Sequence, residues 1–207
     1  MPSFTMDGTT IFSKSGSDIT YASGNLTNAL ADSNTTYPAG HIVDIKTAVY
    51  RGIQSTSTST YTQIGYGEHD VLEVTTATPQ SSSSKFFLVA SIGCIGQSGS
   101  STGTLAFKFT RGGTFISESG SDHTSGSRIA TSARYAVASY SDQNHGGGMS
   151  FSYLDSPASA SASVYSILYN TQNSREGTIN RASGYLDDAL TYGSLTASSL
   201  TVFEIAG

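Results

Sequence analysis

Charge is scarce in this chain. Only 12% of its 207 residues are Asp, Glu, Lys or Arg, about half the roughly 25% usual in globular domains. The net charge is −5 and the 10 basic residues are scattered. No basic stripe exists to displace counterions from phosphates, so a nucleic-acid partner is not expected. Cysteine is nearly absent: Cys94 is the only one, which excludes an internal disulfide. Its apolar surroundings mark it as a buried small hydrophobe rather than a reactive thiol. No apolar run reaches the roughly 18 residues of a membrane helix, so no membrane insertion is expected. The opening MPSFTMDGTTIFSKSG lacks the charged-then-apolar order of a signal peptide. The expectation is a soluble protein not exported by that route.

What is abundant is small and hydroxylated. Ser (37) and Thr (26) make up 30% of the chain, and 22 Gly bring the share to 41%. Ser and Thr compete with helical backbone bonding and Gly costs entropy, so long helices are disfavoured. Hydrophobic residues still reach 37%, with 12 Tyr and 9 Phe, which builds a core and argues against disorder. Small, β-branched and aromatic residues together predict an all-β protein, an antiparallel β-sandwich or jelly roll with an extended N-terminal arm.

The chain divides into residues 1–40, read as an anchoring arm, and 41–207, read as the sandwich domain. The arm has two strand-like pieces, Thr9 to Phe12 and Asp18 to Tyr21, and one possible helical turn through Leu26, Ala29 and Leu30. From residue 41 the alternation is regular. Val43, Ile45, Thr47 and Val49 share one face of a strand, the period of two expected of a half-buried strand. Lys85 to Ile95 is apolar on both faces and predicts a central strand. Further strands are expected at 61–63, 71–76, 105–109, 115–116, 133–140, 149–154, 163–169 and 200–205. Residues 117–128 read as a surface loop, 141–148 as a second one ending in three glycines, and 185–190 as a short helix.

No catalytic, cofactor-binding or metal site is predicted. With so many serines a Ser–His–Asp search is uninformative, and G-x-S-x-G is absent. His41, His69, His123 and His145 form no H-x-x-x-H. Glu68-His69-Asp70 is the densest set of potential metal ligands, but neighbours on a strand diverge, so a solvated turn is expected. Asp187-Asp188 diverge likewise and do not form the paired carboxyls of a glycosidase. Asp122-His123 and Asp142 with His145 lie in polar loops. The sequons at Asn25 and Asn34 are chance matches in a Thr-rich chain. Tyr135, Tyr140, Tyr153, Tyr165 and Tyr169 could form a carbohydrate platform, yet core or subunit-interface positions are the expectation.

A set of local motifs carries a resemblance. Tyr37-Pro-Ala-Gly-His-Ile-Val-Asp at 37–44 precedes STSTSTYTQIG at 55–65, VLEVTTATPQSSSSKFFLVASI at 71–92, MSFSYLDSPAS at 149–159 and SSLTVFEIAG at 198–207. Their order resembles a family of small virion structural proteins of tailed bacteriophages, over about residues 37–110 and 148–207. The resemblance implies a non-enzymatic part of the particle exterior, commonly a homotrimer, assembled in the host cytoplasm. It would be a capsid decoration protein (cement or head fibre) or a short tail fibre that binds a receptor. Its implied partners are copies of itself and, through residues 1–40, the major capsid protein or a tail protein. Host-surface carbohydrate is a further possible partner, and a carbohydrate-binding module is the third reading. The final segment, with Leu200 and Val202 on one face and Phe203 and Ile205 on the other, reads as a strand covered by a second sheet or by a neighbouring subunit.

Overall fold

The structure is a computed structural model that describes residues 3–6, 9–15, 18–21, 37–67, 70–97, 103–116, 131–137, 146–171, 176–182 and 195–207. Among them every regular element is a strand and every pairing is antiparallel. The helical pieces expected near residue 26 and at 185–190 lie outside the described residues, as do 117–128 and 141–145 of the two loops. The chain separates into two compact units, Met1–Thr36 and Tyr37–Gly207. The first holds β1 (Ser3–Met6), β2 (Thr9–Ser15) and β3 (Asp18–Tyr21) in a three-stranded sheet with β2 central.

The second unit begins with β4 (Ile42–Tyr50), β5 (Gln54–Thr56), β6 (Thr62–Gln63) and β7 (Glu73–Thr75). β8 (Lys85–Gln97), β9 (Gly103–Arg111), β10 (Thr114–Phe115) and β11 (Ala133–Val137) follow. β12 (Gly147–Asp155), β13 (Val164–Thr171), β14 (Gly177–Ile179) and β15 (Ser198–Ile205) complete it. They form two six-stranded sheets. The front sheet runs β4-β15-β8-β14-β5, with β12 on the opposite edge of β8. The back sheet runs β10-β9-β13-β6, with β11 on β9 and β7 on β13. β9 and β10 join through Gly112 (φ 55°) and Gly113 (φ 78°). Two consecutive positive φ values make the tight turn whose twist matches flanking strands, and glycine adopts them without steric cost.

Between the sheets lies one apolar core. From the front come Phe86, Leu88, Ala90, Ile92, Leu200 and Val202; from the back Leu105, Phe107, Phe109, Tyr165, Ile167 and Tyr169. Aromatic rings lock across the gap: Phe109 to Phe151 at 4.8 Å between centroids, Phe86 to Tyr165 at 5.6 Å. The sequence pattern placed β8 at the centre, and the sheet order does so too. The Tyr37–Gly40 turn is laced to the C-terminus: Gly40 N donates to Ala206 O at 2.7 Å and Ala206 N donates to His41 O at 2.8 Å.

β4 departs from the expectation. Its regular apolar face, Val43, Ile45, Thr47 and Val49, points away from the core, and Ala48 and Tyr50 point in. The cause is register. β15 pairs Leu200 with Ala48 and Val202 with Lys46, while Phe203 meets Ile45. Leu200 and Val202 are buried, so β4 must present Lys46, Ala48 and Tyr50 inward; a slip of one residue would reverse these side chains. Lys46 on the inner side donates to the Thr75 carbonyl at 3.2 Å. Glu204, also buried, accepts from Gln80 N at 2.7 Å.

A polar junction holds the front sheet where β8 changes partner from β15 to β14. Gly93 N donates to Ser198 Oγ at 3.0 Å and Cys94 N donates to Thr196 Oγ1. Asn180, 1% exposed, accepts from Ser198 Oγ and donates to the Tyr50 and Gly52 carbonyls. It sits at φ 67°, a left-handed conformation that Asn tolerates better than most residues. A Cβ on Gly93 would stand 2.3 Å from Thr196 Oγ1 and 2.6 Å from Asn180 Oδ1. The Ser198 and Thr196 hydroxyls therefore serve as strand partners for the Gly93 and Cys94 amides.

Candidate functional site: the outer face of the front sheet

Strand register arranges the outward side chains of the front sheet in rows. The first row crosses four strands as Ile45, Phe203, Phe87 and Leu154. The second is Thr47, Thr201, Val89 and Ser152; the third is Val49, Ser199, Ser91 and Ser150. None of these twelve residues is charged. Ile45 is 56% exposed, Leu154 46% and Phe87 37%. The Phe87 and Phe203 rings lie 6.2 Å apart, and the Thr47 and Thr201 hydroxyls hydrogen-bond at 3.0 Å. Beyond the first row lie Ile42, Ile205 and Lys85, so the nearest charge stands at the rim.

An antiparallel sheet commonly keeps one wet, polar face. Here the wet face carries large apolar groups in contact across strands. Scattered exposed hydrophobics are ordinary, whereas a contiguous patch marks an interaction surface. The signal was present in the sequence as strands apolar on both faces, at Lys85 to Ile95 and at Ser198 to Ile205. The alternation in β4 was part of the same patch but pointed to the opposite side.

The outer face of the back sheet differs. Its outward residues Ala106, Thr110, Ser166 and Asn170 are buried. Asn170 Nδ2 donates to Ser59 O and Thr171 N to Thr58 O, tying the 58–61 segment down. The Lys108 ammonium stands 4.1 Å from the Tyr61 ring centroid and 4.5 Å from that of Phe115. Burial lowers the Lys108 pKa, and burial pushes the Tyr61 hydroxyl up to about 12 despite the opposing field of Arg134.

Charged groups elsewhere do structural work. Arg111 Nη1 meets Asp155 Oδ2 at 2.6 Å, and Tyr165 OH donates to the same oxygen at 2.7 Å. Burial, then the bond to Asp155, raises the Tyr165 pKa. A cavity of about 490 Å³ opens beside Gly93, Cys94, Gly146 to Gly148 and Thr196. Its described lining contains no carboxylate or imidazole, and burial raises the Cys94 thiol pKa, away from the reactive thiolate.

The individually weighed residues fall as follows. His41 is exposed and its Nδ1–H donates to Pro38 O at 3.0 Å. Tyr165 and Tyr169 are fully buried and offer no ring to a sugar, and Tyr135 and Tyr153 pack partly buried against the core. Asp70 is described; Glu68, His69, Asp122, His123, Tyr140, Asp142, His145, Asp187, Asp188, Asn25 and Asn34 lie outside the described residues. Among the described residues no group of three His, Cys, Asp or Glu could hold a metal, and no helix is long and apolar enough to cross a membrane. No protein-family model matches this chain, and no curated protein matches it.

Proposed function

We propose that the chain is a non-enzymatic structural protein of a phage particle's exterior, a subunit that works by associating with other protein surfaces. The observation that carries this reading is the uncharged, half-apolar outer face of the front sheet, a surface with the makings of a contact and no acid, base or imidazole beside its hydroxyls. The motifs from Tyr37 to Asp44 and from Ser198 to Gly207 support it, because they are structural: one laces to the other and both frame that sheet. The engagement of Asp155 by Arg111 and Tyr165, and of Glu204 by the Gln80 amide, supports it further, since these carboxylates are committed to holding strands and loops.

Head decoration is the proposed position, with residues 1–40 as the attachment to the major capsid protein. Quantitative mass spectrometry of purified particles tests this against the major capsid protein. A copy number comparable to that protein is expected. A few copies per particle would move the protein to the tail as a fibre component, and absence from particles would overturn the virion reading altogether.

A further inference from the structure

We propose that the outer face of β4, β15, β8 and β12 binds a second copy of this chain face to face, about a two-fold axis running along its middle row. The pairing deepens the structural reading above, in which copies of the chain are among its own partners. Two features point to a like copy. The first is the order of the rows. Bulky residues fill one outer row (Ile45, Phe203, Phe87, Leu154), and in the other every position but Val49 is serine (Ser199, Ser91, Ser150), with Thr201 between them on β15. A two-fold axis along the middle row lays the bulky row of each copy over the serine row of the other. Phe203 then faces Ser199 and Phe87 faces Ser91, twice over, which is the reciprocal contact an isologous interface requires. Sheets stacked about 10 Å apart need such interdigitation of large and small side chains.

The second is charge. Two copies at −5 each repel, and these three rows carry no charge at all, so copies meeting here bring no like charges into direct contact. A strongly charged partner would find no complementary group there. Size sets the strength. Four strands about 4.8 Å apart and three rows about 7 Å apart give a footprint of roughly 400 Å² per copy. Two such faces bury roughly 800 Å², below the roughly 1,000 Å² of a stable specific contact and in the range of a weak, transient one. The pair is therefore reversible and concentration-dependent. The resemblance implies a homotrimer; the order of the rows is that of a pair.

Sedimentation velocity of the full chain over a concentration series, beside the double variant F87S/F203S, tests the pairing. Both substitutions lie on the outer face, and circular dichroism reports whether the fold is kept. The wild type is expected to pass from monomer to dimer, and the variant to raise the dissociation constant at least about tenfold, as loss of central apolar anchors does. A second variant, T201C, places a thiol beside the axis. A short bismaleimide is expected to link two T201C chains and to leave the wild type, whose Cys94 is buried, unlinked. A wild type that stays monomeric, forms a trimer, or pairs as tightly with F87S/F203S as without would overturn the proposal. So would T201C failing to cross-link, which decides the matter if the double variant does not fold. A monomer that is abundant on particles would sink the pairing alone; a dimer absent from particles would sink the virion reading alone.

Discussion

The two sheets of the second unit have contrasting outer faces. The back sheet covers itself: the 58–61 segment is bonded to Asn170 and Thr171, the Lys108 side chain lies against Tyr61 and Phe115, and the outward Ala106, Thr110 and Asn170 are buried and small or hydrogen-bonded. The front sheet does the reverse, and none of the described residues closes over Phe87 or Ile45. A covered face can be built from small polar residues because local chain supplies the partners. An uncovered face of rings and branched side chains leaves apolar area in water, which costs free energy in proportion to that area. The difference is what favours the proposal that the front face meets another molecule.

The largest effect should separate the core between the sheets from the outer face of the front sheet. Phe109→Ala removes a ring that is 1% exposed and packed on Phe151; urea unfolding should show a loss of about 3–5 kcal/mol. Phe87→Ser, on the outer side, should change the stability of the dilute protein by under about 1 kcal/mol. Equal losses would mean that Phe87 is covered within the chain, and the contrast would collapse.

Next in size is the junction at Asn180. Asn180→Ala loses the bonds to Tyr50 O, Gly52 O and Ser198 Oγ and puts alanine at φ 67°. A loss of about 3 kcal/mol is expected, from unsatisfied buried groups and left-handed backbone. Asn180→Gly should recover the backbone part only. If alanine and glycine behave alike, the positive φ is not a source of strain.

Alkaline pH sharpens the comparison by acting on the core and on the covered back face. Burial raises the pKa of Tyr61, Tyr165 and Tyr169 above the ordinary value near 10, that of Tyr61 to about 12. A raised phenol pKa favours the protonated, folded form. Its contribution is therefore complete below about pH 10 and is lost as pH rises through 10 to 12 and beyond. Urea midpoints should be flat from neutrality to about pH 9 and fall steeply above 10. A midpoint that holds above pH 11 would mean these hydroxyls are wet.

The smallest effect concerns the cover of the back sheet. Lys108→Met keeps the aliphatic stem but removes the charge held between two rings, and should cost about 1 kcal/mol. Hydrogen exchange at Thr171 N, which donates to Thr58 O, should speed up as the 58–61 segment loosens. Unchanged exchange would mean that Asn170 alone ties the segment down.

Much of this was legible in the sequence. The Ser, Thr and aromatic content announces strands, and Phe86, Leu88, Ala90 and Ile92 announce a central one. The facing of β4 was not legible, because a period of two says that the faces differ and not which one is inside. Pairing with Leu200 and Val202, some 150 residues away, decides it. Asn180 was invisible for another reason: one short polar residue among 63 Ser and Thr has no local signature. The Arg111–Asp155–Tyr165 contact joins three strands, so no spacing encodes it. The two-sided apolar strands were the part of the candidate site that could be read; they called for a cover on both faces, by a second sheet or by a neighbouring subunit, without saying which.

The central claim is that the front face meets another copy, and sedimentation of the full-length chain against concentration tests it most directly. The account predicts a weight-average mass rising from one chain towards two, at a midpoint shifted to higher concentration by F87S/F203S. A mass that stays at one chain throughout, or an association that the double substitution leaves untouched, would contradict it.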